Sequence, residues 1–185
     1  MMNQENQSKT LIEFFRQTLK RTFVDLDLLN FQVLEYIASL LARFARTENL
    51  YRIKQIPHFK LESVVETLLQ VEMARRGEET MSERDEILLR QHIGDFTLFM
   101  SGIFREYVQR LGFLNYYLYE GGRSYGRVYD YAYQEYGPGA MVFRDLSRQF
   151  EQYSGALDYM KKVYFYYPRI DDEIRSVLKK LLSLG

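Results

Sequence analysis

The sequence predicts an all-α protein: a single-domain helical bundle of six to eight helices, with a central buried helix around residues 83–103. Only three prolines occur in 185 residues, so few positions break a helix. Long stretches of alternating apolar and polar residues, which a half-buried strand requires, are absent. Apolar residues instead recur three and four positions apart, as they do on one face of a helix.

Two helices are predicted in the first 46 residues. Residues 1–8 are polar and are expected to fray, so that Ser8 caps a helix running to about Phe23. Asp25 or Asp27 is expected to cap the second helix. Its apolar residues recur with amphipathic spacing, which predicts a buried face made of Leu26, Leu29, Val33, Ile37, Leu40 and Phe44.

A loop and a third helix are expected next. Residues 48–60 contain Pro57 and are predicted to form a loop, in which His58 is solvated. Residues 61–76 are predicted to form a helix, with Gly77 as its C-terminal stop.

The fourth helix is predicted to be central. Ser82 precedes Asp85 by three residues, a variant of the capping box, and the helix continues to at least Ser101. Two adjacent apolar stripes indicate that it packs on more than one side. Gly94 and Gly102 each cost about 1 kcal/mol relative to alanine in a helix. We therefore expect another backbone to pass close to each of them.

Glycine and proline divide the remaining chain. Gly112 is expected to end a short helical segment, and residues 113–136 are predicted to form one helix, the alternative being two helices broken at Gly121 and Gly122. Residues 137–139, Gly-Pro-Gly, predict a turn.

The C-terminal part predicts two further helices. Apolar spacings of three and four continue without interruption from Phe143 to Tyr167, which indicates one long coiled-coil-like helix that Pro168 stops. Asp171 or Asp172 is expected to cap the last helix. Its predicted buried face consists of Ile174, Val177, Leu178 and Leu181.

Asp95 is the most informative residue, because it is one charge within an apolar helix. A buried charge requires a partner. His92 lies three residues before it, so the two could form a metal site or proton relay; the alternative is a structural role, with an arginine or tyrosine hydroxyls as partners. Arg123 and Arg127 could hold a phosphate or carboxylate, or one of them could pair with Asp95. The candidate ligand-binding residues are His92, Asp95, Arg123, Tyr125 and Arg127.

The tyrosines are concentrated in the C-terminal half. Fourteen of the sixteen follow Arg105. They cannot all face one core, and tyrosine is favoured at protein interfaces. Tyr117, Tyr131 and Tyr133 are therefore the candidate interface residues, the alternative being packing at the margin of the core.

Composition excludes several classes of function. The absence of cysteine excludes thiol chemistry and cysteine-ligated metals, and no metal or other cofactor is expected. The 25 basic and 25 acidic residues are balanced in both halves of the chain, so binding to nucleic acid is disfavoured. A secretory h-region and a membrane-spanning run are both absent. We expect a soluble cytoplasmic protein without a membrane partner.

One resemblance concerns the centre of the chain. Gly94-Asp95-Phe96, Leu98-Phe99, Ser101-Gly102 and Phe104 are followed by Tyr116-Tyr117 and by Gly122-Arg123-Ser124-Tyr125. This combination resembles uncharacterised bacterial helical proteins without an assigned activity. The resemblance implies an all-α fold and brings no catalytic residue with it.

Three classes of function remain. The leading hypothesis is a non-enzymatic cytoplasmic module that binds a protein partner or itself. The alternative is a bundle that binds a small molecule in a polar pocket near Asp95. Enzymatic activity is disfavoured, because the sequence contains no Gly-x-Ser-x-Gly nucleophile motif and neither histidine has a catalytic context.

Overall fold

The computed structural model describes residues 4–46, 82–166 and 172–183. Within these ranges the chain forms eight α-helices and one 3₁₀ turn, Gly137–Ala140, and no strand, which confirms the all-α prediction. The helices are α1 Gln4–Asp25, α2 Phe31–Ala45, α3 Glu83–Ile103, α4 Arg105–Arg110, α5 Leu114–Tyr136, α6 Met141–Arg148, α7 Phe150–Tyr164 and α8 Asp172–Leu182. The predicted loop over residues 48–60, with His58, and the predicted helix over 61–76 lie outside the described residues.

The predicted central helix is α3. Every residue from Ile93 to Ile103 is buried, because α3 packs most extensively on α5 and then on α7. Its start is also as predicted: the Ser82 hydroxyl accepts a hydrogen bond from the Asp85 amide at 3.2 Å. The helix is apolar on two stripes because it has a neighbouring helix on each of them.

The turn between α1 and α2 differs from the prediction. Helix α1 already begins at Gln4, so Ser8 lies within the helix and not at its N-terminus. At its other end the Leu28 amide bonds to the Phe23 carbonyl at 2.8 Å, and Asp27 takes a φ of +56°. This is a Schellman arrangement, in which one left-handed residue ends the helix and reverses the chain.

Asn30 caps α2, in place of the predicted Asp25 or Asp27. Its side-chain oxygen accepts from the Val33 amide at 3.1 Å. Because the Schellman turn delays the start of α2, the first two residues of the predicted buried face fall in the turn. Leu26 and Leu29 are 38% and 87% exposed. Of the rest of the stripe, Val33, Ile37 and Leu40 are buried and Phe44 is half-buried.

Helix α5 runs without a break through its glycine pair, as predicted. A Cβ atom on Gly121 would overlap the Phe150 ring and the Thr97 hydroxyl, so this position requires a residue without a side chain. Gly94 and Gly102 serve a related purpose: their Cβ positions lie 2.7 Å from the Tyr125 ring and 2.6 Å from the Leu157 Cβ. At Gly94 the predicted neighbouring backbone is replaced by the Tyr125 ring, whereas at Gly102 the nearest atom is a Cβ bonded directly to the backbone of α7.

The long helix predicted over residues 143–167 is two helices, as far as the described residues extend; Tyr167 and the predicted stop at Pro168 lie outside them. Gln149 leaves the helical conformation, with φ −119° and ψ 28°, although its amide still bonds to the Asp145 carbonyl at 3.0 Å. The bend of one residue lets α6 pack on α5 and α2, while α7 packs on α3 and α1. The apolar spacing continues through the bend, and Leu146, Phe150, Tyr153, Leu157 and Met160 are all buried.

The remaining elements agree with the sequence. Gly112, with a φ of +79°, follows the end of α4. Helix α8 buries the four predicted residues, Ile174, Val177, Leu178 and Leu181; of its two candidate caps, Asp171 lies outside the described residues and Asp172 is the first helical residue. None of the described helices has the length and apolar character needed to cross a membrane.

The glycine contacts can be tested with a matched pair of substitutions. We expect Gly121→Ala to lower the free energy of unfolding by about 1–3 kcal/mol, because the new methyl group overpacks the contact with Phe150. Gly155 lies in α7 with no atom within 4 Å of its Cβ position, so Gly155→Ala should raise the same quantity by about 0.5–1 kcal/mol. Urea denaturation of both variants measures the difference; equal effects would contradict this packing.

Candidate functional site

Asp95 lies at the junction of three helices. Its side chain is 3% exposed. One carboxylate oxygen, Oδ1, accepts hydrogen bonds from the hydroxyls of Tyr36 at 2.5 Å and Tyr125 at 2.7 Å. The other oxygen, Oδ2, accepts from the Arg43 guanidinium at 2.8 Å. The acid is therefore satisfied by α2 and α5 together, and both kinds of partner named from the sequence, arginine and tyrosine, are present.

Local sequence explains why these groups meet. Tyr36 and Arg43 are seven residues apart in α2, so they lie two turns apart on one face. Gly94, next to Asp95, leaves the space that the Tyr125 ring occupies. The Phe143 ring, from α6, packs against the rings of Tyr36 and Tyr125 at centroid distances of 5.4 Å and 6.0 Å. Aromatic rings thus cover the carboxylate on the side of α6.

Gln91 extends the cluster by one residue. Its amide nitrogen Nε2 donates to the Tyr36 hydroxyl oxygen at 3.1 Å. We call Asp95, Tyr36, Arg43, Tyr125 and Gln91 the Asp95 cluster. Gln91 is also one wall of a cleft of about 640 Å³ between α3, α5 and α6. The residues lining this cleft are Glu83, Arg84, Ile87, Leu88, Gln91, Val128, Tyr131, Ala132, Gln134, Glu135 and Phe143.

The two tyrosines of the cluster are held in their protonated form. Burial raises the pKa of Tyr125 well above its usual value, and the negative charge of Asp95 raises it further. Burial and the same charge also raise the pKa of Tyr36. Both hydroxyls therefore remain hydrogen-bond donors to Asp95 at neutral pH.

The arginine that pairs with Asp95 is Arg43, and the prediction of Arg123 or Arg127 is wrong. The guanidinium groups of Arg123 and Arg127 lie 3.5 Å and 3.9 Å from the carboxylates of Glu120 and Asp130 on the same helix, and each side chain is 42% exposed. Each is two residues from Tyr125, about 200° around the helix. Because Tyr125 faces α3, both arginines point away from it. The seven-residue spacing in the sequence places Tyr36 and Arg43 on one face of α2, but it does not indicate that this face lies against Asp95.

The proposed pairing of His92 with Asp95 is also absent. His92 is exposed and its ring lies beside Phe96, at a centroid distance of 6.5 Å, whereas Asp95 points into the core. Of the predicted ligand-binding residues, the structure brings together only Asp95 and Tyr125. Across the described ranges, no three acidic or histidine side chains lie close enough together to hold a metal ion.

The three candidate interface tyrosines have different environments. Tyr117 is 2% exposed and packs on Phe96, so its ring belongs to the core of the chain. Tyr131 lines the cleft and donates to the Glu86 carboxylate at 3.3 Å. Tyr133 is 44% exposed, so of the three its ring is the most available to a partner.

Removing the central acid should destabilise the protein strongly. We expect Asp95→Ala to lower the free energy of unfolding by about 3 kcal/mol or more, since it leaves two buried hydroxyls without an acceptor. Asp95→Asn retains one acceptor oxygen and should lose less. Asp130→Ala, at a carboxylate that is 64% exposed, is the control. Urea denaturation checks all three, and an Asp95→Ala loss as small as that of the control would refute the cluster.

The tyrosines predict a loss of stability at alkaline pH. An unfolded tyrosine has a pKa of about 10, and that of Tyr125 is raised in the folded state. Its contribution is fully present below pH 10 and decreases as the pH rises further, because the unfolded state then releases a proton that the folded state keeps. Urea denaturation from pH 8 to 11 should show a shallower decrease for Tyr125→Phe than for the wild type. Tyr133→Phe, at an exposed position outside the Asp95 cluster, is the control; a Tyr125→Phe slope equal to that of the wild type would contradict this assignment.

No family model matches the chain, and no curated protein or solved structure matches it. The function proposed for the chain therefore rests on the contacts, exposure and charges of its own residues.

Proposed function

We propose that this chain is a non-enzymatic cytoplasmic interaction module that associates with a second copy of itself through the turn between α1 and α2. The observation that supports this is the exposure of four large apolar side chains within eight residues. Val24 is 72% exposed, Leu26 38%, Leu29 87% and Phe31 66%. We call these four residues the turn patch. A cluster of this kind is typical of a surface that a partner covers.

The backbone beneath the turn patch is fixed on both sides. The Schellman arrangement at Asp27 ends α1, and Asn30 caps α2 through its side-chain oxygen. The side-chain nitrogen Nδ2 of Asn30 also donates to the Asp145 carboxylate on α6 at 2.9 Å. The backbone of the turn patch is therefore held in one conformation. Binding of a partner then costs little conformational entropy in this segment.

Charge favours a second copy of the chain as the partner. The formal net charge is zero, so two copies approach without overall repulsion. Two exposed charges of opposite sign belong to the same surface: Arg21 precedes the patch by three residues, and Asp27 lies between Leu26 and Leu29. In a two-fold pairing the same surface of each copy meets the other. The turn patches of the two copies then face each other, and Arg21 of each copy can lie opposite Asp27 of the other.

Two tyrosines extend this surface. The hydroxyls of Tyr159 and Tyr164 both donate to one oxygen of Asp25, at 3.2 Å and 2.5 Å, and their rings meet edge to face at 6.4 Å. Asp25 is the last residue of α1, adjacent to Val24. Two of the many tyrosines in the C-terminal half thus place their rings beside the turn patch. Tyrosine is enriched at protein interfaces.

Sedimentation velocity on the full chain tests this proposal. We expect the wild type to form a dimer as its concentration is raised over the micromolar range. The double variant Leu29→Ser/Phe31→Ser should remain monomeric with an unchanged thermal midpoint, because both side chains are exposed. Leu111→Ser, at an apolar residue outside the patch that is 46% exposed, should dimerise like the wild type. A wild type that stays monomeric at millimolar concentration, or a double variant that dimerises normally, would refute self-association through this surface.

A further inference from the structure

The cleft beside the Asp95 cluster has the dimensions of a small-molecule site. Its volume of about 640 Å³ falls within the range of ligand pockets in proteins. Five of its lining residues are apolar and are contributed by three helices: Ile87, Leu88, Val128, Ala132 and Phe143. The other lining residues are polar or charged. Sites for organic ligands combine apolar walls with polar groups that fix the orientation of the ligand, and this cleft offers both.

The Asp95 cluster fixes which hydrogen-bonding group Gln91 can offer to this cleft. A carboxylate only accepts hydrogen bonds, so Tyr36 donates its single hydroxyl proton to Asp95. The Tyr36 oxygen is then left to accept, and it accepts from Nε2 of Gln91. The amide of Gln91 is thereby oriented with its nitrogen towards Tyr36. Its carbonyl oxygen Oε1 is the group that remains for a ligand.

Of the five other polar residues of the cleft, three can only accept further hydrogen bonds, Arg84 only donates, and the Gln134 amide can do either. The Tyr131 hydroxyl donates to Glu86, so its oxygen can only accept a further hydrogen bond. Two lining residues, Glu83 and Glu135, carry exposed carboxylates, against one exposed guanidinium, Arg84. The cleft therefore favours a ligand that donates hydrogen bonds and carries positive charge.

We propose that the cleft binds a small organic cation with an apolar body, such as an arylalkylamine, whose ammonium group donates to the Gln91 carbonyl oxygen. The apolar body packs on Ile87, Val128 and Phe143. The rings of Tyr131 and Phe143 add attraction for a positive charge. Asp95 does not touch the ligand: it acts as a positioning residue, through Tyr36, on the orientation of the Gln91 amide.

Isothermal titration calorimetry of the full chain with three probes of one shape tests the ligand class. The probes are 1-naphthylmethylamine, 1-naphthylmethanol and 1-naphthoate. We expect the amine to bind about tenfold or more tighter than the carboxylate, which corresponds to 1.4 kcal/mol or more, with the alcohol between them. Carboxylate binding as tight as amine binding, or no binding of the amine up to millimolar concentration, would overturn the proposal.

Three variants locate the binding. Leu88 lines the cleft and is 56% exposed, so Leu88→Trp should fill the cleft without disturbing the core and should abolish amine binding. Leu111→Trp is the matched control at an exposed leucine outside the cleft and should bind normally. Gln91→Leu should reduce the preference for the amine over the alcohol while retaining apolar binding. Unchanged amine affinity in Leu88→Trp, or an unchanged preference in Gln91→Leu, would overturn the assignment of this site.

Discussion

The buried carboxylate of Asp95 is the constraint on which the arrangement of the helices depends. Removing a carboxylate from water costs several kcal/mol unless well-placed partners offset the loss. Here the partners come from α2 and α5: one arginine and two tyrosine hydroxyls surround the acid on α3. The three helices must therefore keep one position relative to each other for Asp95 to receive all its hydrogen bonds. A buried polar group of this kind specifies one packing among many that would bury a similar apolar area.

Small residues make this arrangement attainable. Gly94 gives the Tyr125 ring room beside Asp95, and Gly121 accepts the Phe150 ring between α5 and α7. A side chain at either position would hold two helices apart and displace an aromatic ring. These glycines thus act through close packing, and their cost in helix propensity is offset by the contacts that they allow.

Helix α6 connects the two surfaces to which we assign functions. Phe143 covers the Asp95 cluster and forms part of the cleft, and Asp145, two residues later, receives the Asn30 amide beneath the turn patch. The bend at Gln149 separates this helix from α7 and so allows it to pack on α5 and α2. One short helix therefore positions both the cleft wall and the turn between α1 and α2.

The sequence by itself determined the all-α class, the central helix α3 with its Ser82 cap and buried Asp95, the unbroken α5 and the buried face of α8, because periodicity and capping are local properties. Only the tertiary structure identified Arg43 as the partner of Asp95, since spacing tells which face of a helix is buried but not which helix lies against it. The cap at Asn30 and the bend at Gln149 also depended on three-dimensional contacts. Several residues near the turn could cap α2, and apolar spacing does not register a bend of one residue. The cleft and the turn patch emerge only when the helices are assembled, because exposure is a property of the whole fold.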